Sequence, residues 1–233
     1  MKLFTGDLSP YSAKVRMQIY AMGVEDEVSF ELPVTFYLGK LAEYSPLGRI
    51  PVMEVEEGII PESEVIAEYL DERFPDKALL GQSPKENADI RLVSRIADIY
   101  LMNNIFMALP QIPRKTRNDS IRDLLYKQVM RGMGALEAHI GTGDYAVGNR
   151  LTRADCSLVP ALFLCEKTVP RLDVANPMDG HAKVTAYWQK IQSNPHGARV
   201  LAEMNKGLQE RLDGTEQQRI QAAIRAANPA SSD

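Results

Sequence analysis

The sequence predicts an α/β layer built from the first third of the chain, followed by an all-α helical bundle. Two observations carry this. Residues 1–78 alternate short β-like runs with helical stretches in the order β-α-β, a loop, then β-β-α, whereas beyond residue 86 apolar residues recur at helical spacing almost throughout. Between the two, residues 76–85 include Gly81, Ser83 and Pro84, the composition of a boundary. With 233 residues, 45% of them apolar, the chain can fill two cores. The expected division is a domain over 1–78, a linker over 79–86, a helical domain over 87–213 and a tail from 214 to 233.

The elements follow from local chemistry. Lys2-Leu3-Phe4-Thr5 reads as a strand ending at Gly6. Residues 12–22 mix apolar and charged side chains in a way that also fits alternation, but Gly23 is a plausible helix stop and a helix is preferred. Residues 28–32 form a β-like run, followed by an irregular segment with Phe36, Tyr37 and Tyr44. A strand then opens at Pro51, where the missing N–H belongs at a strand start or edge. It turns at Gly58, returns over 59–60, and gives way to a helix over 63–73 that ends at Pro75. In the second part, helical runs cover 86–109 (broken at Pro110 and Pro113), 119–140, 152–169, 181–192 and 195–212. The stretch 154–165 is apolar on most faces and is expected at the centre of its domain. The tail from Gly214 is polar and alanine-rich, with a short helix at 216–226.

Composition excludes several classes of function. A net charge of −4 and a pI near 5.5 argue against a nucleic-acid surface. Cys156 and Cys165 form no CxxC, and His139, His181 and His196 are scattered, so neither a disulfide framework nor a metal site is expected. The apolar runs fall short of a membrane span and the N-terminus lacks a signal-peptide layout, which makes the cytoplasm the expected compartment. Trp188 is expected to pack between late helices.

Three motifs carry chemistry. In Ser9-Pro10-Tyr11-Ser12, a serine precedes a helix whose first residue is proline, which is sound capping chemistry. The same hydroxyl at a helix N-terminus can donate a hydrogen bond to a bound thiolate, the nucleophilic form of a thiol. Ile50-Pro51 and Glu62-Ser63 bracket the two-strand hairpin. Glu62 complements an ammonium group, and Ser63 at a helix start complements a carboxylate. Thr152-Arg153-Ala154-Asp155 has the spacing of a capping box, with Asp in place of the usual Glu or Gln. Replacing Asp155 by Ala is expected to cost about 1–2 kcal/mol.

Together, Ser9-Pro10-Tyr11, residues 45–52 (Ser-Pro-Leu-Gly-Arg-Ile-Pro-Val), Pro61-Glu62-Ser63 and the Thr152–Asp155 box resemble the cytosolic glutathione transferase superfamily, over about residues 1–210. The resemblance implies a thioredoxin-like N-terminal domain that binds glutathione as co-substrate, a homodimer, and no metal, nucleic acid or membrane. It implies that Ile50, before a cis Pro51, pairs its backbone with the cysteinyl part of glutathione, and that Glu62 and Ser63 hold the γ-glutamyl end. Ser9 is the leading donor to the thiolate, with Ser12 and Tyr11 as rivals. Lys40 is a candidate for the glycyl carboxylate, and Asp98 a candidate acid reaching across a dimer interface. Tyr11, Phe36, Met102 and Phe106 are candidates for the wall of a pocket for a hydrophobic electrophile, alongside Tyr100, Asn103 and Met107. The alternatives carried forward are a glutathione-dependent isomerase, a disulfide reductase, an aryl-ether-cleaving enzyme, and a non-catalytic interaction protein of the stringent-starvation type.

Overall fold

The computed structural model describes residues 1–40 and 45–227; Tyr44, placed by the sequence in the aromatic segment, lies outside the described residues. The chain divides into two compact units, residues 1–78 with 202–233, and residues 79–201. This corrects the expected boundaries at the C-terminal end. Residues 202–227, expected in the helical domain and a separate tail, pack with the N-terminal unit. Glu203 bonds Arg16 and Tyr20, and Arg219 bonds Asp7.

In the first unit, β1 (Lys2–Phe4), α1 (Pro10–Met22), β2 (Ser29–Glu31), α2 (Val34–Tyr37), β3 (Val52–Val55), β4 (Gly58–Pro61) and α3 (Ser63–Arg73) follow in order. The sheet order is β2-β1-β3-β4. β1 and β2 are parallel, and the other two pairs are antiparallel. β3 begins at Val52 rather than Pro51, because Pro51 offers no N–H to the ladder. Gly23 ends α1 in the left-handed conformation (φ 60°), which costs a glycine nothing. Leu3, Val52 and Met53 from the sheet meet Val15, Ile19, Ile66 and Leu70 in a fully buried core.

α1 showed no clean period because its polar residues are as buried as its apolar ones. Each of the long polar side chains is paired. Lys14 bonds Glu64, Gln18 Nε2 donates to the Ala67 carbonyl (2.8 Å) and to Asp71 (3.2 Å), and Arg16 is spent on the loop before the helix. Such pairing is what makes buried charge tolerable.

The first unit also contains the end of α9 (Pro195–Asp213) and all of α10 (Thr215–Ala227), so the expected short helix near the C-terminus is present and longer. α10 packs against α2, has no fully buried residue, and is tied down by charge: Arg219 to Asp7 (3.2 Å) and Glu210 (3.3 Å), with Glu216 pairing back to Arg211 (2.8 Å).

The second unit is all helical: α4 (Pro84–Arg95), α5 (Asn103–Ala108), α6 (Asp119–His139), α7 (Arg153–Lys167), α8 (Ala182–Ile191) and the start of α9. Between α4 and α5 the helix is not broken but widens into a π-helical stretch, Ile96–Met102, and the whole runs from Pro84 to Gln111. Asn104 Nδ2 donates to the carbonyls of Ile99 and Tyr100, both at 3.0 Å, taking up oxygens that the wider turn exposes. Gly132 of α6 permits the close approach to this stretch, since a Cβ there would lie 2.5 Å from Tyr100 Cβ. At 28 residues this helix is long and apolar enough to cross a membrane, contrary to the sequence expectation. Half of its apolar window is buried within the protein. α7 is buried at every residue from Arg153 to Cys165 and forms the centre of the unit.

Candidate active site

Three segments leave the same end of the sheet. Phe4, the last residue of β1, pairs with Val52, the first of β3, and Val52 pairs with Pro61, the last of β4. The loop carrying Ser9, the Ile50-Pro51 dipeptide and the Glu62-Ser63 step therefore emerge side by side. The Ile50-Pro51 peptide is cis. Gly6 lets the first two close up, because a Cβ there would stand 3.2 Å from Ile50 Cδ1 and 4.0 Å from Ser9 Cβ.

Ser9 caps α1: its Oγ accepts from the Ser12 N–H at 3.3 Å, with Pro10 at the first helical position. The bond uses an oxygen lone pair and leaves the Ser9 O–H proton available to donate. Ser9 is half-buried. Ser12 is fully enclosed, and its hydroxyl has no hydrogen-bond partner among the described residues. Without surface it offers a ligand nothing. Tyr11 is half-buried in the first turn.

α3 starts differently. No side chain caps it, and the preceding Glu62 stands at φ 71°, ψ 121°, a region that costs a side-chain-bearing residue strain. Ser63 is buried at the first helical position while Glu62 is exposed beside it. An uncapped helix start with a hydroxyl among its first N–H groups suits an anion, and the adjacent carboxylate suits a cation. Phe36 and Tyr37 on α2 meet edge to face at 5.3 Å. Burial, with Glu216 nearby, raises the Tyr37 phenol above its ordinary range. Lys40 is exposed at the end of that segment, its backbone N–H bonded to the Thr35 carbonyl at 2.8 Å.

Two residues of this region escaped the sequence reading. Arg16 is buried and bonded to Thr5, Gly6 and Asp7. Lys14, buried on α1, pairs with Glu64 in the first turn of α3, so one ion pair joins the helix behind Ser9 to the helix opened by Ser63. A run of charged residues inside an otherwise apolar helix was the available signal for both.

Residues 3–78 match the glutathione S-transferase N-terminal domain, and residues 96–195 match the glutathione S-transferase C-terminal domain. A maleylacetoacetate isomerase of Pseudomonas aeruginosa is 31% identical over 189 residues, covering 74% of this chain and 85% of the relative. The chain belongs to the glutathione S-transferase family. A glutathione S-transferase of Pseudomonas putida is 26% identical, covering 87% of this chain and 92% of the relative. At the same identity, a stringent starvation protein A homolog of Coxiella burnetii covers 92% of this chain and 97% of the relative. A solved glutathione S-transferase from Methylobacterium radiotolerans, in complex with glutathione sulfonate, agrees in fold at a TM-score of 0.72 with 20% identity, covering 85% of this chain and 93% of that one.

In the family's C-terminal domain the remaining candidates fall out unequally. Met102 is fully buried among the helices of its own unit, so it presents no surface to a ligand; this corrects its placement in a pocket wall. Phe106, Tyr100 and Met107 are exposed, and Asn103 is half-buried. Asp98 is nine-tenths buried in the π-helical stretch, with Arg95 at 3.7 Å. Trp188 is buried, its Nε1 donating to Glu166 at 3.0 Å. Among the described residues no cluster of His, Cys, Asp or Glu is placed to hold a metal. Both cysteines are free and buried, and burial pushes the Cys165 thiol up to about 12.

The capping box at α7 is present and reaches further than its four residues. Asp155 Oδ2 accepts from the Thr152 N–H (2.8 Å) and hydroxyl (3.2 Å), and Oδ1 accepts from the Ala146 N–H (2.8 Å) and the Tyr187 hydroxyl (3.0 Å). The carboxyl has no exposure, and burial raises its pKa to about 6 against the opposing pull of these donors.

Proposed function

We propose that the protein is a glutathione transferase whose N-terminal unit grips glutathione and activates its sulfur. The observation that carries this reading is the convergence of Ser9, Ile50-Pro51 and Glu62-Ser63 at one end of the sheet. Ile50 would pair its backbone with the cysteinyl residue. The Ser63 hydroxyl and the open N–H groups of α3 would take the γ-glutamyl carboxylate, and Glu62 its ammonium. Ser9 would donate its O–H to the thiolate, lowering the thiol's pKa without itself attacking. The sulfur then displaces a leaving group from, or adds to, a hydrophobic electrophile. Lys40 remains the proposed partner of the glycyl carboxylate, and half-buried Tyr11 and exposed Phe36, both of the first unit, are the surviving proposals for contact with the second substrate. Ser9→Ala should abolish most turnover of a halonitrobenzene with glutathione, while Ser12→Ala and Tyr11→Phe retain it. The opposite pattern would transfer the role to the rival.

A second reading is favoured by the isomerase relative: reversible addition of glutathione to an unsaturated acid. An isomerase returns glutathione unchanged and a transferase consumes it, so following free thiol during turnover separates them. A peroxide, a disulfide and an aryl ether in the same screen test the reductase and ether-cleavage alternatives. The stringent-starvation relative supports a non-catalytic alternative, which predicts no measurable affinity for glutathione. We further propose a cytoplasmic homodimer, for which sedimentation of the purified chain tests the assembly.

A further inference from the structure

One buried guanidinium organises the loop that carries Ser9. Arg16, 3% exposed, donates from Nη1 to Thr5 Oγ1 at 2.7 Å and to the Gly6 carbonyl at 3.0 Å, and from Nη2 to the Asp7 carbonyl at 3.0 Å. The Gly6 carbonyl also accepts the Ser9 backbone N–H at 3.1 Å, so Arg16 and Ser9 share one acceptor. The fourth donor, Nε, is held by Glu203 Oε2 of α9 at 2.8 Å, and the other Glu203 oxygen accepts the Tyr20 hydroxyl at 2.7 Å. α9 is also seated on the loop itself: a Cβ at Gly207 would lie 2.9 Å from Leu8 N and 3.0 Å from Asp7 Cβ. The loop between β1 and α1 is thus fixed by a planar fork from one helix, and the fork is fixed by a carboxylate from another.

We propose that Arg16, anchored by Glu203, is a positioning residue that aims the Ser9 hydroxyl at its ligand. The inference rests on the reading that Ser9 donates to the sulfur of glutathione. Its physical basis is the fork geometry of guanidinium, which satisfies several fixed acceptors in one plane where an ammonium cannot. A small misplacement of a donor at a reacting atom is costly in rate, whereas the grip on the rest of the peptide lies on Ile50, Glu62 and Ser63 and does not pass through Arg16.

Two charge-conserving variants test it. Arg16→Lys keeps the charge and loses the fork; Glu203→Asp keeps the charge and withdraws the anchor by one methylene. Glutathione's thiol pKa on the protein is read from thiolate ultraviolet absorbance, and peptide affinity from S-methylglutathione, which has no thiol. In Arg16→Lys the bound thiol pKa should rise by about one unit and kcat fall about tenfold, with a smaller change of the same sign in Glu203→Asp and unchanged affinity for S-methylglutathione. Tyr20→Phe, which leaves the Arg16–Glu203 contact in place, should leave the thiol pKa unchanged. If both charge-conserving variants keep the wild-type thiol pKa and kcat, whatever their melting temperatures, the proposal is overturned. Failure of the wild type to bind S-methylglutathione would instead overturn the underlying reading. Should Arg16→Lys not fold, Glu203→Asp, at a partly exposed side chain, decides alone.

Discussion

Two kinds of helix start in this protein do opposite things with the same chemistry. At α7 the cap turns inward: Asp155 takes four hydrogen bonds from three segments. At α1 and α3 the satisfaction is partial. Ser9 makes one long capping bond and keeps its proton, and α3 has no side-chain cap behind a strained Glu62. A start that is closed contributes stability, and a start left open is where we propose the site. Sequence motifs of similar appearance, Ser9-Pro10 and Thr152–Asp155, thus separate by how completely their donors are used.

The comparison is broken most severely at its closed end. Asp155→Ala strips four donors of a buried acceptor and should destabilise the protein by about 3–4 kcal/mol, read by chemical denaturation, above the 1–2 expected from the capping box alone. At the open end, Ser9→Ala should cut glutathione turnover about 100-fold, with a loss of stability no larger than about 1 kcal/mol. Glu62→Gly should relieve its backbone and raise stability by about 1 kcal/mol while weakening glutathione binding, so that melting temperature and affinity move in opposite directions. A rise in both would show that Glu62 serves the fold rather than the ligand.

The subtlest difference is in pH. Asp155 has a native pKa of about 6 against an ordinary 3.8. Between those values the native state holds a proton that the unfolded chain has released, so the stability owed to this group is full below the lower value and is lost as pH rises through the upper one. The melting temperature of wild type minus that of Asp155→Asn should fall as pH is raised from about 4 to about 6. An invariant difference would mean that the buried carboxyl does not titrate there.

Legibility followed the same division. The cap at Thr152 and the buried face of α7 could be read because local spacing and uniform apolarity determine them. α1 was ambiguous between helix and strand because Lys14, Arg16 and Gln18 are buried against partners distant in sequence: Glu64, Glu203, Ala67 and Asp71. The pairing of Glu203 with Arg16 has no local trace, and the error in the C-terminal boundary has that cause. Met102 looked like a pocket residue because an apolar side chain on a long helix carries no mark of which way it faces. The π-helical stretch that carries it also packs closely on Gly132 of another helix, where a Cβ would lie 2.5 Å from Tyr100 Cβ. The three segments proposed to grip glutathione were legible as motifs, and the sheet register brings them out at one end of the sheet.

The attachment of α10 has a consequence for how the protein behaves in different media. A thirteen-residue helix with no fully buried side chain, fastened by Arg219 to Asp7 and Glu210 and by Glu216 to Arg211, is held in part by attractions that dissolved ions weaken. Its docking is therefore an ionic-strength gauge: cleavage by a protease near Gly214, where the backbone reverses at φ 84°, should quicken as salt is added. The sheet and its apolar core would stay intact through the same change.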